Sequence, residues 1–248
     1  MGYGSCAALW RGTHRSPTAI CNGWLSFPNQ DREIQQDPGL IVDSLASQSS
    51  NYRKHTTGNP LQRALIERFH GKIVEAVKDL APDSFLDAGC GEGFVAQRLL
   101  EAMPSLTYVG CDLSPAAVAM AQQRNPAGTF TTGSVTELPY PDKSFDVVGC
   151  FEVLEHLPGD LPRVAIAEFA RVARRGVVLS VPHEPYFCLA NAARGKNLDI
   201  QPRGSDPDHK QFWSRHAFGA LMGNELQVRR LFGSFPWTIG VGEIATKA

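Results

Sequence analysis

Residues 84–93 read SFLDAGCGEG, in which three glycines occupy every second position directly after a short apolar run. Glycine lets a chain turn tightly, and it lets a ligand approach the main chain where a Cβ would collide. In an open α/β sheet, the first strand-to-helix turn is the place where a nucleotide meets the backbone. The stretch therefore predicts a nucleotide-binding turn between a first strand and the helix that follows it.

Short apolar strands and helical stretches alternate on both sides of this turn, which is typical of parallel strands joined by helical crossovers. The candidate strands are 85–88, 108–111, 129–131, 145–150 and 177–181, and the candidate helices are 59–82, about 93–103, 114–124, 160–173 and 213–223. Two late strands, 226–235 and 236–244, are joined by a tight turn. We predict an α/β fold with a doubly wound, seven-stranded, mostly parallel sheet and a C-terminal antiparallel hairpin.

The apolar content is sufficient for one full-sized core, since 43% of the 248 residues are hydrophobic. Residues 1–50 show neither helical nor strand periodicity, so we predict a disordered extension there and one catalytic domain over 51–248. A cap over the active site and an organelle transit segment are the alternatives for the extension.

Charge and cysteine usage narrow the partners and the compartment. The net charge is −1, so no global positive field favours nucleic acid, and we predict no DNA partner. The six cysteines are scattered without a C-x-x-C pair, which is typical of a reducing compartment. No apolar run reaches the roughly 18 residues of a spanning helix. These features predict a cytoplasmic location and no transmembrane segment.

The second predicted strand ends at Asp112, 19 residues after Gly93. A carboxylate at that position can accept hydrogen bonds from both hydroxyls of a ribose. The glycine spacing is G-x-G-x-G rather than the G-x-G-x-x-G of nicotinamide enzymes, and Glu92 lies between the last two glycines. A carboxylate there would repel a pyrophosphate, whereas it suits a ligand that carries a sulfonium and an ammonium group.

The segment GSVTELPYPDKSFDVVGCFEVLEHL follows at 133–157. With the glycine turn and Asp112, it makes the chain from Asn59 onward resemble the class I S-adenosylmethionine-dependent methyltransferases, in particular the type 11 group. The resemblance implies a Rossmann-like methyltransferase fold and S-adenosyl-L-methionine as cofactor. The cofactor-binding residues that it implies are Asp87, Gly89, Cys90, Gly91, Gly93, Asp112, Leu113, Ser134, Val135 and Phe151. Ser134 stands where the type 11 pattern usually has Asp, which weakens the expected contact with the adenine.

A second cluster lies in FEVLEHLPGD at 151–160, after the fourth strand. One helical turn would gather Glu152, Glu155 and His156, and His209 in a later loop is a further candidate ligand. Two carboxylates and imidazoles can hold a divalent cation such as Mg or Mn. This pair of segments resembles the metal-dependent small-RNA 3′-terminal 2′-O-methyltransferases, and the first segment resembles the ubiquinone-biosynthesis O-methyltransferases.

The same motif also occurs in small-molecule relatives without a metal, where the histidine acts as a base or orders the loop. We therefore predict Glu155 and His156 as catalytic residues, with Glu152, Glu155, His156 and His209 as the candidate metal ligands. The long segment 184–211 follows the fifth strand, where insertions commonly form a lid over the acceptor. His183 is either an acceptor contact or a structural residue.

These features together predict transfer of a methyl group from S-adenosylmethionine to a hydroxyl, and with less support to an amine, of a small-molecule or lipid-like acceptor. An alternative partner is the 3′ end of an RNA, methylated on its 2′ oxygen with the help of a metal. A non-catalytic subunit that only binds the cofactor is the alternative outside the enzymes. The Glu-Glu-His cluster argues against that alternative, because a pure binding protein has no need of it.

Overall fold

The computed structural model describes residues 50–244, so the predicted extension over 1–50 lies outside the described residues except at Ser50. In chain order, the helices are α1 (Ser50–His55), α2 (Pro60–Asp79), α3 (Phe94–Ala102), α4 (Pro115–Arg124), α5 (Leu161–Val172), α6 (Tyr186–Ala192) and α7 (Arg215–Met222). The strands are β1 (Ser84–Ala88), β2 (Thr107–Asp112), β3 (Thr129–Thr132), β4 (Phe145–Phe151), β5 (Ala173–Pro182), β6 (Gln227–Ser234) and β7 (Trp237–Glu243).

The seven strands form one sheet in the order β3-β2-β1-β4-β5-β7-β6. The strands β1 to β5 pair in parallel, whereas β7 runs antiparallel to both β5 and β6. The predicted fold class, with its C-terminal antiparallel hairpin, is confirmed. The strand order reverses between β1 and β4, and ligands of such sheets bind in the crevice beyond the carboxyl ends of the strands at this point.

Local sequence signals explain where the helices begin. The side chain of Asn59 accepts hydrogen bonds from the backbone of Leu61 and Gln62, so it caps α2, and Pro60 occupies the first turn. Ser114 caps α4 in the same way by accepting from the backbone N–H of Ala117. The predicted strands and helices agree with the structure to within a few residues at most ends. The sequence patterns did not indicate α1 and α6.

Alternate residues of the central strands pack into two apolar clusters on opposite faces of the sheet. Phe85 and Val147 belong to the cluster that contains residues of α2 and α3, whereas Leu86 and Val148 belong to the cluster that contains residues of α5 and α7. Helices therefore cover both faces, as a doubly wound sheet requires. Within residues 50–244, no helix has the length and apolar character needed to cross a membrane.

Candidate active site

A cavity of about 830 Å³ opens at the carboxyl ends of β1, β2 and β4. Asp87 and Gly91 of the glycine turn line one part of it, and Glu155, His156 and His209 line another part. This volume lies within the range of pockets that enclose small molecules and cofactors. The predicted cofactor turn and the predicted catalytic cluster therefore share one cavity.

The three glycines of the turn all have left-handed backbone conformations, with φ of +85° at Gly89, +51° at Gly91 and +77° at Gly93. A Cβ on Gly89 would lie 2.4 Å from the side chain of Val153, and one on Gly93 would lie 3.0 Å from the backbone of Ala121. These two glycines permit close packing between elements. Gly91 lines the cavity, as Gly89 also does, and its bare backbone leaves room there for a ligand.

Asp112 ties the glycine turn to the end of β2. The backbone N–H of Gly91 donates to its Oδ2 at 2.8 Å, and the backbone N–H of Ser114 donates to its Oδ1 at 2.9 Å. Each carboxylate oxygen retains a further acceptor position. The carboxylate is therefore held in place and can still accept hydrogen bonds from the two hydroxyls of a ribose.

Asp87, in β1, is a buried acid in the wall of the cavity. The hydroxyl of Tyr108 donates to its Oδ2 at 2.5 Å, whereas its Oδ1 has no hydrogen-bond partner among the described residues. Burial, together with the nearby charge of Asp112, raises the pKa of Asp87 to about 7, although the hydrogen bond from Tyr108 lowers it. A buried acceptor without a donor suits a cationic group, and the ammonium of S-adenosylmethionine is one. The residues present therefore fit this cofactor.

Six of the predicted cofactor-binding residues line the cavity, namely Asp87, Gly89, Cys90, Gly91, Asp112 and Phe151. The other four lie outside its lining. Gly93 packs against α4, Leu113 is 74% exposed, and Val135 is buried in the core. The hydroxyl of Ser134 bonds to that of Thr136 at 2.8 Å and closes a local turn. A contact of these four residues with the cofactor stays a prediction.

The helix α1 adds cavity residues that the sequence patterns did not reveal. Asn51 donates to the buried carboxylate of Glu92 in the glycine turn, and the ring of His55 stacks on Phe94 with 4.3 Å between centroids. The ammonium of Lys54 lies 3.6 Å from the carboxylate of Glu152. A six-residue helix has too few positions to show a period, so hydrophobic patterning gave no signal for α1.

Glu155, His156 and His209 come together at the far part of the cavity. Residues Leu154–His156 form a short 3₁₀ turn after β4, and a loop brings His209 over it. One potential ligand atom from each of the three side chains lies within 4.8 Å of the others. The loop is held by Lys210, whose backbone N–H donates to the carbonyl of Glu155 at 2.7 Å.

Two of these side chains carry buried polar atoms that lack partners among the described residues, Oε2 of Glu155 and Nδ1 of His209. Burial raises the pKa of Glu155 well above its usual range, and the charge of Glu152 raises it further. Burial lowers the pKa of His209 to about 4. A buried carboxylate in this state is stabilised by a proton or by a bound cation.

Glu152 is not part of this group, although it was predicted as a fourth ligand. Its backbone is left-handed, with φ of +59°, and its carboxylate accepts from the hydroxyl of Ser180 at 3.0 Å while facing Lys54. The remaining donor set is one carboxylate and two imidazoles, and imidazole ligands suit transition metals better than Mg. The three side chains fit a divalent cation by type and spacing.

Comparisons with known proteins point to one family. Residues 86–181 match the type 11 model, described as a methyltransferase domain. A phthiotriol/phenolphthiotriol dimycocerosates methyltransferase of Mycobacterium leprae is 31% identical over 144 residues, which covers 57% of this chain and 48% of that protein. A fatty-acid O-methyltransferase of Mycolicibacterium smegmatis is 37% identical over 120 residues, 47% of this chain and 42% of that protein.

The chain thus spans about half the length of the curated relatives that it matches. Among solved structures, magnesium protoporphyrin IX methyltransferase from Synechocystis PCC 6803, with bound SAH, superposes with a TM-score of 0.61. It is 22% identical, and the alignment covers 84% of this chain and 100% of that one, so it supports the fold. Residues 86–181 thus belong to a class I S-adenosylmethionine-dependent methyltransferase domain of the type 11 family.

Proposed function

We propose that this chain transfers a methyl group from S-adenosylmethionine to a hydroxyl of a small-molecule or lipid-like acceptor. When bound, the cofactor would supply a sulfonium-activated methyl group, which passes to the acceptor oxygen as the carbon–sulfur bond breaks and S-adenosylhomocysteine leaves. Asp112 would hold the ribose, the unpartnered Oδ1 of Asp87 would accept from the ammonium, and Phe151 would contact the methionine portion or the acceptor. The relatives named for phthiotriol and fatty-acid substrates support a lipid-like acceptor.

The observation that carries this proposal is the shared cavity, in which the glycine turn and a histidine cluster lie at one edge of the sheet. His156 is exposed, and its Nδ1 lies 3.2 Å from the backbone carbonyl of Asp208. A carbonyl can only accept, so in the neutral imidazole Nδ1 is the nitrogen that carries the proton and Nε2 the one with the lone pair. His156 would therefore act as the base that takes the proton of the acceptor hydroxyl.

Thermal unfolding with S-adenosylhomocysteine tests the cofactor half of the proposal. A ligand at 100 times its dissociation constant stabilises the folded state by about 2.7 kcal/mol, so saturating S-adenosylhomocysteine should raise the melting temperature. NADH serves as the matched control and should leave it unchanged. A shift with NADH and none with S-adenosylhomocysteine would overturn the proposal.

Glu155 and His209 favour a second candidate, in which a divalent cation assists the transfer. Each carries a buried, unpartnered polar atom, and one potential ligand atom of each lies within 4.8 Å of the other and of one on His156. The three side chains would hold the cation, and it would lower the pKa of the attacking hydroxyl. If a cation assists the transfer, the 2′-hydroxyl at the 3′ end of an RNA becomes the alternative acceptor, and methylation of RNA should be measured beside methylation of lipid hydroxyls.

Elemental analysis and chelation separate the two candidates. A cation site predicts metal near one equivalent per chain and loss of methyl transfer in EDTA. It also predicts that His156→Ala and His209→Ala are about as damaging as the double variant, because ligands of one ion act as a unit. If His156 acts as the base without a metal, EDTA should have no effect on methyl transfer. His156→Ala should then lower the rate by about 10²–10⁴, and His209→Ala should have a mild effect. His216→Ala, at an exposed position of α7, is the control.

The domain boundary and the compartment complete the proposal. We assign the methyltransferase domain to residues 51–248 and treat residues 1–50 as an extension of that domain. The free, buried thiols of Cys90, Cys111, Cys150 and Cys188 support a reducing compartment such as the cytoplasm.

A further inference from the structure

The helix α6 presents apolar side chains on its outer face. Cys188 and Asn191 point inward and are buried, whereas Tyr186 and Leu189 are 49% and 64% exposed. Tyr186 and Leu189 are three residues apart on one helix, so their side chains are neighbours on its surface. An outward apolar face on a helix at the mouth of a cavity is not explained by packing within the domain.

Phe235 extends this face from the turn between β6 and β7. Its ring is 53% exposed, and its centroid lies 6.5 Å from that of Tyr186. We call Tyr186, Leu189 and Phe235 the mouth patch. Single exposed apolar side chains are ordinary, but contiguous ones mark sites of interaction.

Three cations belong to the segments that carry the mouth patch or lie beside them. Arg194 and Lys196 directly follow α6, and the guanidinium of Arg215 lies against Gly233 next to the turn that holds Phe235. Among residues 50–244, none of the three forms an ion pair. Two acids lie in the same segment: Glu184 accepts from the backbone N–H of Cys188, and Asp199 follows Lys196 by three residues. Three basic side chains without an ion pair among the described residues therefore lie in the segments around the patch, and two of them are on its cavity side.

The same segment also lines the cavity with Phe187, Asn191, Arg194 and Lys196. One side of α6 thus borders the reaction cavity, and the other side carries the mouth patch. We propose that the mouth patch docks on an anionic lipid surface, from which the acceptor enters the cavity. The docking is inferred from the mouth patch alone. Only the delivery of the acceptor from the lipid surface to the cavity rests on the proposed function.

The chemistry of the patch favours lipid over a second protein. Aromatic and aliphatic side chains that enter a headgroup layer, with basic residues beside them, are the elements of interfacial membrane binding. A stable protein interface needs roughly 800 Å² from each partner, far more than three side chains provide. A second copy of this chain is therefore a less suitable partner for the mouth patch than a lipid surface. The test below also measures whether the chain dimerises.

Co-sedimentation of the full chain with vesicles tests the docking. Vesicles of phosphatidylcholine with about one third phosphatidylglycerol should bind the protein, and pure phosphatidylcholine vesicles should bind it at least tenfold more weakly. Leu189→Glu should abolish binding. Each of Arg194→Gln and Lys196→Gln should lower the partition coefficient about fivefold, and added salt should weaken binding in the same direction.

Val164→Glu is the matched control, because Val164 is an exposed apolar residue on α5, 42% exposed and outside the cavity lining. It should bind vesicles like the wild type, and both Val164→Glu and Leu189→Glu, which lie outside the cavity lining, should keep the melting shift with S-adenosylhomocysteine. Equal binding by wild type and Leu189→Glu, or no binding to either vesicle, would overturn the docking. A mass that doubles with concentration and is reduced to the monomer by Leu189→Glu would also overturn it, in favour of a second copy.

Vesicle binding is measured without methyl transfer, so the docking and the proposed function can fail separately. Binding to anionic vesicles without methylation of any lipid acceptor would support the docking and contradict the lipid-like acceptor. Methylation of lipid monomers by a protein that does not bind vesicles would support the lipid-like acceptor and contradict the docking.

Discussion

Asp112 serves two purposes with one carboxylate, since it fixes the backbone of the glycine turn and faces the cavity. Asp112→Ala should weaken the binding of S-adenosylhomocysteine by roughly 1.5–3 kcal/mol, the usual scale for hydrogen bonds to a charged group. Isothermal titration calorimetry gives this difference. Asp160→Ala, which alters an exposed acid at the start of α5, is the control and should bind normally. Unchanged affinity in Asp112→Ala would assign the ribose to another residue.

The ionisation of Asp87 should make the stability of the folded chain depend on pH. Its pKa is about 7 in the folded chain and near 3.8 when exposed, so the folded state binds more protons between these values. The stability contributed by the protonated form is therefore complete below pH 3.8 and is lost as the pH rises through about 7. Asp87→Asn should raise the melting temperature more at pH 8 than at pH 4, as calorimetric scans would show.

The same variant should bind S-adenosylhomocysteine more weakly, because an amide attracts an ammonium less than a carboxylate does. For the wild type, affinity should increase between pH 6 and pH 8 as Asp87 ionises. An equal gain in melting temperature at both pH values, or an affinity that is flat with pH, would contradict the assignment of this acid.

At the scale of elements, α1 closes part of the cavity through Asn51, Lys54 and His55. A chain that begins at Gly58 should bind S-adenosylhomocysteine more weakly than one that begins at Ser50, because it loses the contacts with Glu92 and Glu152. Calorimetric titration of the two truncated chains gives the comparison. Equal affinities would show that α1 covers the cavity without supporting the ligand.

The contact between α1 and α2 should be sensitive to acid. His55 and His70 stack with 3.2 Å between their Nε2 atoms, and burial lowers their pKa values to about 4 and about 3. The unfolded chain takes up more protons below pH 6.5, so the stability that these groups contribute is complete above pH 6.5 and falls toward pH 4. His70→Leu should flatten the fall of melting temperature between pH 7 and pH 5.

His216→Leu is the matched control for this pair, because His216 is exposed on α7 and should leave the pH dependence as in the wild type. A steep loss of stability that persists in His70→Leu would place the acid-sensitive group elsewhere in the domain.

At the scale of the whole molecule, the part of the sheet and of both apolar clusters that the structure describes is built from residues 65–244. Removal of residues 1–49 should therefore leave a folded domain with an unchanged circular dichroism spectrum and a cooperative thermal transition. The full-length chain is the reference for both measurements. An insoluble product, or one without a cooperative transition, would show that the removed segment belongs to the core.

The sheet was predictable because its central strands β1, β4 and β5 carry a strong apolar signal, and a proline marks the first turn of the crossover helices α4 and α5. The glycine turn and Asp112 were predictable because their spacing reflects local backbone geometry. The approach of Lys54 to Glu152 was not, since a contact across 98 residues leaves no mark on either local pattern. The contacts of Glu152 were not predictable either. The sequence did not show that the carboxylate of this predicted metal ligand accepts from Ser180 and faces Lys54.

The antiparallel direction of β7 has a practical consequence for handling the protein. Trp237, at the start of β7, pairs with Pro182 at the carboxyl end of β5, whereas Ile244 bonds to Arg175 near the opposite end of that strand. The chain therefore leaves the sheet at the amino ends of the parallel strands, opposite the carboxyl ends where the reaction cavity lies. A fluorophore or an immobilisation tag attached after Ile244 would anchor the molecule with the cavity facing away from the support.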